Sequence, residues 1–385
     1  MSGAVAVENL RHLGRELSHR AIPATVSGVH DLRHGQLAAI KVMTSDVGEP
    51  VDVATVVRTL RVMSEVRRQL PGPVIFDVPF RELRSLPPAQ PLSSCPLIVV
   101  IEADELFEHP AAFLDAVAHA RRAGWEIGLR DVGADYASLA ALAVVEPSVI
   151  VYAHEHLLDP FRPLGLETVQ AVTAYTQSTG ASVIAGRLHT KELLTRATSL
   201  STTLGWGSAV VTRSDLTSES FELALFIPPL PQQRQQSCYE LAASRHLPQR
   251  TDQEVLDALS ERIEQLAVGA GPSTVVCAGL RDARNVSAAM WRRYDRLSSS
   301  VHLVTLLATN SATPKGTAAT VIELSPHDEL SREWVVLALG PTAAVVLAAR
   351  AESSSRRHGH DFSYVLSYDR ELVTHAARSM LSRTR

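Results

Sequence analysis

Apolar and polar positions follow two different rhythms along this chain. Residues 7–20 repeat with helical spacing and predict a short amphipathic helix. Two stretches, 22–32 and 35–43, read as strands joined at His34-Gly35. A helix is predicted over 51–69, where Val51, Val53, Val56, Val57, Leu60, Val62, Met63 and Val66 recur near helical spacing until Pro71-Gly72-Pro73 stops them. Short β-branched runs then follow at 74–78, 97–101, 126–130, 148–152 and 182–186, separated by helical segments at 108–123, 135–145 and 164–179. With the two early strands and a last one near 205–212, these βα units predict a (β/α)8 barrel, although a doubly wound sheet shares the local signature.

From 213 to 250 the rhythm fails, and Pro228-Pro229, Pro231 and the QQRQQ run mark a boundary. Residues 251–268 predict a helix with Thr251 or Asp252 at its N-cap and apolar residues at 255, 258, 259, 263 and 266, suited to connecting domains or dimerising them. A second α/β pattern begins with a strand at 273–279. It continues with a helix at 285–297, strands at 301–308 and 318–324, and an apolar pair at 334–339 and 342–349. A polar loop, SSSRRHGHD, precedes a strand at 362–367 and a helix at 369–382. The expected organisation is a barrel domain over 1–228, a linker and connecting helix over 229–270, and a smaller α/β domain over 271–385.

Composition narrows this picture. With 385 residues, 45% of them apolar, the core needs neither disulfides nor a structural metal. The balance of 37 Lys plus Arg against 41 Asp plus Glu gives −4, unlike the broad electropositive surface of a nucleic-acid protein. Cys95, Cys238 and Cys277 form no metal spacing and no disulfide framework, which fits a reducing compartment. The start has no signal-peptide pattern, and the tract Trp334 to Ala349 falls short of the ~20 residues that span a bilayer and is broken at Gly340-Pro341. The expectation is a soluble, cytoplasmic protein without membrane insertion.

In a barrel, chemistry concentrates at the C-terminal ends of the strands. The acids there that suit Mg²⁺ or Mn²⁺ are Asp77, Glu102 and Asp131. Arg130 neighbours Asp131, but adjacent strand residues point to opposite faces and need not pair. A residual polar cluster or scattered, solvated acids is the preferred reading. His154-Glu155-His156 lacks a further zinc ligand and reads as a solvent-facing loop, as does His358-Gly359-His360-Asp361. Cys95, before Pro96 and a buried strand, reads as a structural thiol. Trp125, Trp206, Trp291 and Trp334 read as core, and the chain has no G-x-G-x-x-G, P-loop or G-x-S-x-G motif.

The segments GVHDLRHGQLAAI (28–40), VIFDVPFREL (74–83), LIVVIEADELF (97–107), GWEIGLRDVGADYASLA (124–140), EPSVIVY (146–152), SVIAGRLHT (182–190) and LGWGSAV (204–210) occur in the order and spacing of a known family. Residues ~20–228 resemble the EAL domain, the barrel of cyclic-di-GMP phosphodiesterases. The resemblance implies two divalent metals that activate water for in-line attack on a phosphodiester. Glu102 matches a metal-binding glutamate and Asp131 the second of paired aspartates, while Asp77 stands where an asparagine is usual. The signature glutamate is replaced by Ile40, followed by Lys41 and Val42, and the first paired aspartate by Arg130. Val151, Ala153, Gly186 and His189 replace the remaining lysine and acids. A hydrocarbon and a cation at such positions both disfavour dications. The segment before VIFDV is also short for the family.

The segments AAMWRRYDRLSSSVHLVTLLAT (288–309), ELSREWVVLALGPTAAVVLAARAE (329–352) and FSYVLSYDRELVTHAARSML (362–381) resemble the DICT sensory domain, with Glu333-Trp334 and Tyr368-Asp369-Arg370-Glu371-Leu372-Val373 most distinctive.

The leading expectation is a non-enzymatic bacterial signalling regulator: a degenerate EAL barrel used as a protein-interaction or dimerisation platform, coupled to a DICT-like sensory domain. No catalytic, cofactor-binding or metal-ligating residue is assigned, and the expected partner is a signalling or regulatory protein, with a homodimer as an open alternative. The missing ligands argue against cyclic-di-GMP binding. The alternatives are a cyclic-di-GMP-binding effector without turnover and a residual metal-dependent phosphodiesterase resting on Asp77, Glu102 and Asp131.

Overall fold

The computed structural model describes residues 3–44, 50–65, 72–93, 95–159, 161–200, 202–211, 236–310, 317–352 and 362–384. Pro228-Pro229, Pro231, most of the QQRQQ run and His358, His360 and Asp361 lie outside the described residues. The chain forms two compact units, residues 1–105, 115–138 and 146–230, and residues 106–114, 139–145 and 231–385.

Eight strands close the barrel in sequence order. After α1 (Gly3–His19) come β1 (Thr25–Asp31), β2 (Leu37–Met43), α2 (Val53–Glu65), β3 (Val74–Asp77), α3 (Ala89–Leu92), β4 (Leu97–Glu102), α4 (Glu105–Glu108) and α5 (Pro110–Arg122). Next are β5 (Glu126–Val132), α6 (Tyr136–Val145), β6 (Val149–Tyr152), α7 (His154–Leu158), α8 (Pro163–Thr179), β7 (Ser182–Ala185), α9 (Lys191–Ser199), β8 (Leu204–Gly205) and α10 (Ser208–Val211). The expected barrel is therefore present. Its strands read as continuous apolar runs because the ring buries one side and the helices the other.

One strand breaks the parallel rule. β1 runs antiparallel to both β2 and β8, whereas β2 and the strands after it pair in parallel. Only five residues separate β1 from β2, too few for a crossover, so the chain must turn back as a hairpin. Asp31 fixes that turn, its carboxylate accepting from the Arg33 and His34 backbone N–H groups, each at 3.1 Å. Inside, Val29, Ile75, Ile98, Val100, Val149, Val151, Ile184, Leu204 and Trp206 form one apolar cluster.

The second unit is built on a seven-stranded sheet in the order β12-β11-β10-β13-β14-β15-β9. Its elements are α11 (Cys238–Ala243), β9 (Gln249–Thr251), α12 (Gln253–Ala270), β10 (Val275–Asp282), α13 (Ala288–Ser298), β11 (Leu303–Thr309) and β12 (Thr320–Glu323). β13 (Glu333–Leu339), β14 (Ala344–Ala351), β15 (Phe362–Ser367) and α14 (Arg370–Leu381) complete it. Helix α12, which the sequence pattern presents as a connection, lies on this sheet. Its Leu256, Ile263 and Ala267 pack with Tyr294 and Leu297 of α13 against Val276, Val304, Leu306, Val336 and Leu347. The alternate residues of β10 and β13, among them Cys277, Val335 and Leu337, turn to the other face, and α14 packs on these strands and on β14.

A buried carboxylate ties the start of this unit to the sheet. Glu333, fully buried, accepts from the Ser237 hydroxyl, from the Tyr239 backbone N–H at 3.1 Å and from Arg350 Nη2 at 3.0 Å. Arg350 also lies 5.1 Å from the Tyr239 ring centroid and 3.2 Å from Glu240. Removing one partner of such a buried network leaves donors and a charge uncompensated. Glu333→Ala is expected to lower stability by about 3 kcal/mol in urea unfolding, and Glu333→Gln by less; an unchanged midpoint for Glu333→Ala contradicts this role.

Candidate functional site

The C-terminal ends of the parallel strands bring together Lys41 and Met43 of β2, Asp77 of β3, Arg130 and Asp131 of β5, Val151 and Tyr152 of β6, and His154, Gly186, Arg187 and Trp206 from the segments after them. Strand alternation decides which residues reach this mouth. On β2 it selects Lys41 and Met43, one on each side of Val42, and not Ile40. The charged residue that β2 presents at the mouth is therefore a lysine.

Lys41 sits here almost without solvent. Its side chain and that of Asp77 are 2% and 4% exposed, and Nζ lies 2.6 Å from Asp77 Oδ1. The ammonium also lies 4.7 Å from the Trp206 ring centroid, a cation–π contact. Trp206 reaches this position because of two glycines. A Cβ at Gly186 would overlap the indole. Gly207, at φ +143, lies so close to the Leu188 backbone that a side chain there would collide with it.

Arg130 neutralises the opposite side. It pairs with Glu102 and, at 3.4 Å, with Asp131. Strand alternation alone does not require Arg130 and Asp131 to pair. They meet where Asp131 adopts the left-handed conformation, φ +59, within a register shift between Leu129 and Val132. Arg187, at φ +58, occupies the same uncommon region at the end of β7. Burial raises the Asp131 carboxyl above its ordinary range, with Arg130 opposing and Asp77 adding to the rise. Burial also lowers His154, and Arg187 adds to that effect.

The acids read as a metal set are thus distributed among cations. Asp77 holds Lys41, while Glu102 and Asp131 share Arg130. Among the described residues no three His, Cys, Asp or Glu side chains gather as a metal site would require. The space left at the mouth is about 40 Å³. His189 is exposed and faces Ser208 at 3.2 Å, outside this lining.

His154-Glu155-His156 departs from its expected solvent-facing loop. The three residues open helix α7, where residues two apart diverge. His156 is fully buried, its ring 4.9 Å from that of Tyr152, and neither ring nitrogen has a partner among the described residues. Burial, with Arg162 nearby, pushes its pKa down to about 4. Cys95 is half-buried, whereas Cys238 and Cys277 are buried. Trp125 is buried with its Nε1 donating to Pro87 O at 2.7 Å, and Trp291 and Trp334 pack on the core of the second unit.

Two outcomes test this packing. Gly186→Ala is expected to destabilise by about 1–3 kcal/mol through overpacking. That loss should largely vanish in a Trp206→Ala background, so additive effects in a double-mutant cycle contradict the contact. For His156, the folded pKa lies below the ordinary 6.5. The unfolded chain therefore takes up the proton first as pH falls, and stability drains between about pH 6.5 and 4. His156→Leu should flatten the Tm loss across that window; parallel profiles for the two proteins contradict the assignment.

Comparison with known proteins adds the following. Residues 235–352 match the family model of DICT, described as a sensory domain in diguanylate cyclases and two-component systems. No curated protein matches the chain. Among solved structures the chain is similar to the EAL domain of Xanthomonas citri FimX in complex with c-diGMP, at 14% identity and a TM-score of 0.39, over 57% of this chain and 100% of that one. It is similar to the S helix-GGDEF-EAL portion of Vibrio cholerae LapD, at 13% identity and a TM-score of 0.38, over 53% of this chain and 57% of that one. It is also similar to the EAL domain of Mycobacterium smegmatis DcpA, at 13% identity and a TM-score of 0.39, over 49% of this chain and 91% of that one. No helix among the described residues is long and apolar enough to cross a membrane.

Proposed function

We propose that this chain is a non-catalytic signalling regulator, in which the barrel serves as a docking or dimerisation platform for a protein partner and the unit containing residues 235–352 receives a signal. The observation that carries this reading is the Lys41–Asp77 ion pair under Trp206 at the barrel mouth. A phosphodiesterase of the kind implied by the sequence resemblance needs anionic ligands free to hold two dications there. Here two protein cations, Lys41 and Arg130, already occupy the acids. Their charge repels a dication, and each acid would have to abandon its present partner first. The residues do not fit the metals.

The second unit supports the sensory half of the reading through its match to a sensory family. Fold and function are separable, so a barrel can keep its packing after its chemistry has gone. The expected outcome is no linear dinucleotide above a protein-free control when the full chain is incubated with cyclic-di-GMP and Mn²⁺ or Mg²⁺. Hydrolysis that Asp131→Ala abolishes would overturn the proposal.

A further inference from the structure

Outside the barrel mouth, the second unit carries a groove of about 630 Å³. That lies within the ~300–1,000 Å³ of small-molecule sites. Its floor is formed by Leu303 and Thr305 of β11 and Ile322 and Leu324 at β12, with Phe107 and Arg383 among its other lining residues. Alternation explains why the floor is open. Val304 and Leu306 turn toward α12 and α13 and join the core, so Leu303 and Thr305 face the other way. α14, which covers β10, β13 and β14, leaves this margin of the sheet lined as a groove.

Two independent features of the lining point to a ligand. The Thr305 side chain is buried, 1% exposed, yet its hydroxyl has no hydrogen-bond partner among the described residues. A buried polar group left this way is costly unless something meets it. The charges of the lining are also one-sided. Arg383 is committed, with Nε and Nη2 on the two Asp328 oxygens at 2.8 and 2.9 Å and Nη1 on the Ser379 carbonyl at 2.7 Å. Glu108 and Glu323, both exposed lining residues, have no ion pair or hydrogen bond among the described residues. The groove therefore offers apolar surface, an aromatic ring, a waiting hydroxyl and two carboxylates, with no uncommitted cation among its described lining residues to receive an anion.

We infer that this groove binds an organic cation with an apolar ring body, a ring-bearing amine, whose ring lies on Leu303, Ile322 and Phe107 and whose charge is met by Glu108 and Glu323. Phe107 suits this role, since its ring is held edge-on at 4.5 Å from His302 and aromatic faces attract cations. The same charges reject nucleotides and other anions. The inference deepens the sensory half of the proposed function by giving it a ligand class. It does not rest on the barrel's lack of turnover, which the phosphodiesterase assay reads separately.

The test uses the full chain, with tryptamine as the probe and indole-3-acetate as its anionic counterpart, read by calorimetry and thermal shift. Tryptamine is expected to bind saturably and at least ~10-fold more tightly than indole-3-acetate, as a site with two unpaired carboxylates requires. The double variant Glu108→Gln/Glu323→Gln should remove most of that discrimination, and Leu303→Trp should abolish binding by filling the floor. Thr305→Val, which deletes an unpartnered hydroxyl, should weaken binding without lowering Tm, and it decides the matter if Leu303→Trp fails to fold. Equal or tighter binding of indole-3-acetate, no tryptamine binding at about 10 mM, or binding indifferent to both Leu303→Trp and Thr305→Val would overturn the inference.

Discussion

A lysine ammonium carried into a closed barrel has to be neutralised where it sits, because removing it from water is expensive. Asp77 does this for Lys41 at 2.6 Å, and the Trp206 ring adds a second favourable contact. The mouth is organised around that constraint. Gly186 keeps its Cα bare so that the indole can reach the lysine, and Gly207 lets the chain turn close against Leu188. Arg130 takes up Glu102 and Asp131, so that these acids, like Asp77, are each met by a cation. A site of this kind resists a new cation twice over, by repulsion and by the need to break pairs already formed.

The second unit shows the reverse arrangement. Its buried ions are also paired, Glu333 with Arg350 and Asp328 with Arg383, and they fix the ends of the unit to its sheet. Its groove, however, keeps a hydroxyl and two carboxylates uncommitted among the described residues. The acids at the barrel mouth are met by Lys41 and Arg130, whereas the groove lining keeps the Thr305 hydroxyl, Glu108 and Glu323 without a partner among the described residues.

Much of the fold was legible in the sequence because hydrophobic period alone carries it. The strands at 74–77, 97–102, 149–152 and 182–185 and helix α8 follow the apolar pattern closely. Elements without such a pattern were missed. β9, the three residues Gln-Arg-Thr, is a strand only because it pairs with β15, and α11 has just six residues. Helix α9 did carry a signal that went unread, the Thr190 N-cap and Glu192 in its first turn. The site was legible in part. The scarcity of acids at strand ends is legible, but the resemblance sets Ile40 where alternation puts Lys41. The Trp206–Gly186 contact joins residues twenty apart through space, and no local pattern reports it. His156 looked like a polar loop residue because burial on a single helical turn leaves no periodic trace.

With its acids held by Lys41 and Arg130, the barrel mouth is expected to take up no dication. Titration of Mn²⁺ into the full chain, with free Mn²⁺ counted by electron paramagnetic resonance, tests it most directly. The free signal is expected to track the added metal, and Asp131→Ala is expected to leave the titration unchanged. One or two equivalents of bound Mn²⁺ that disappear in Asp131→Ala would contradict it.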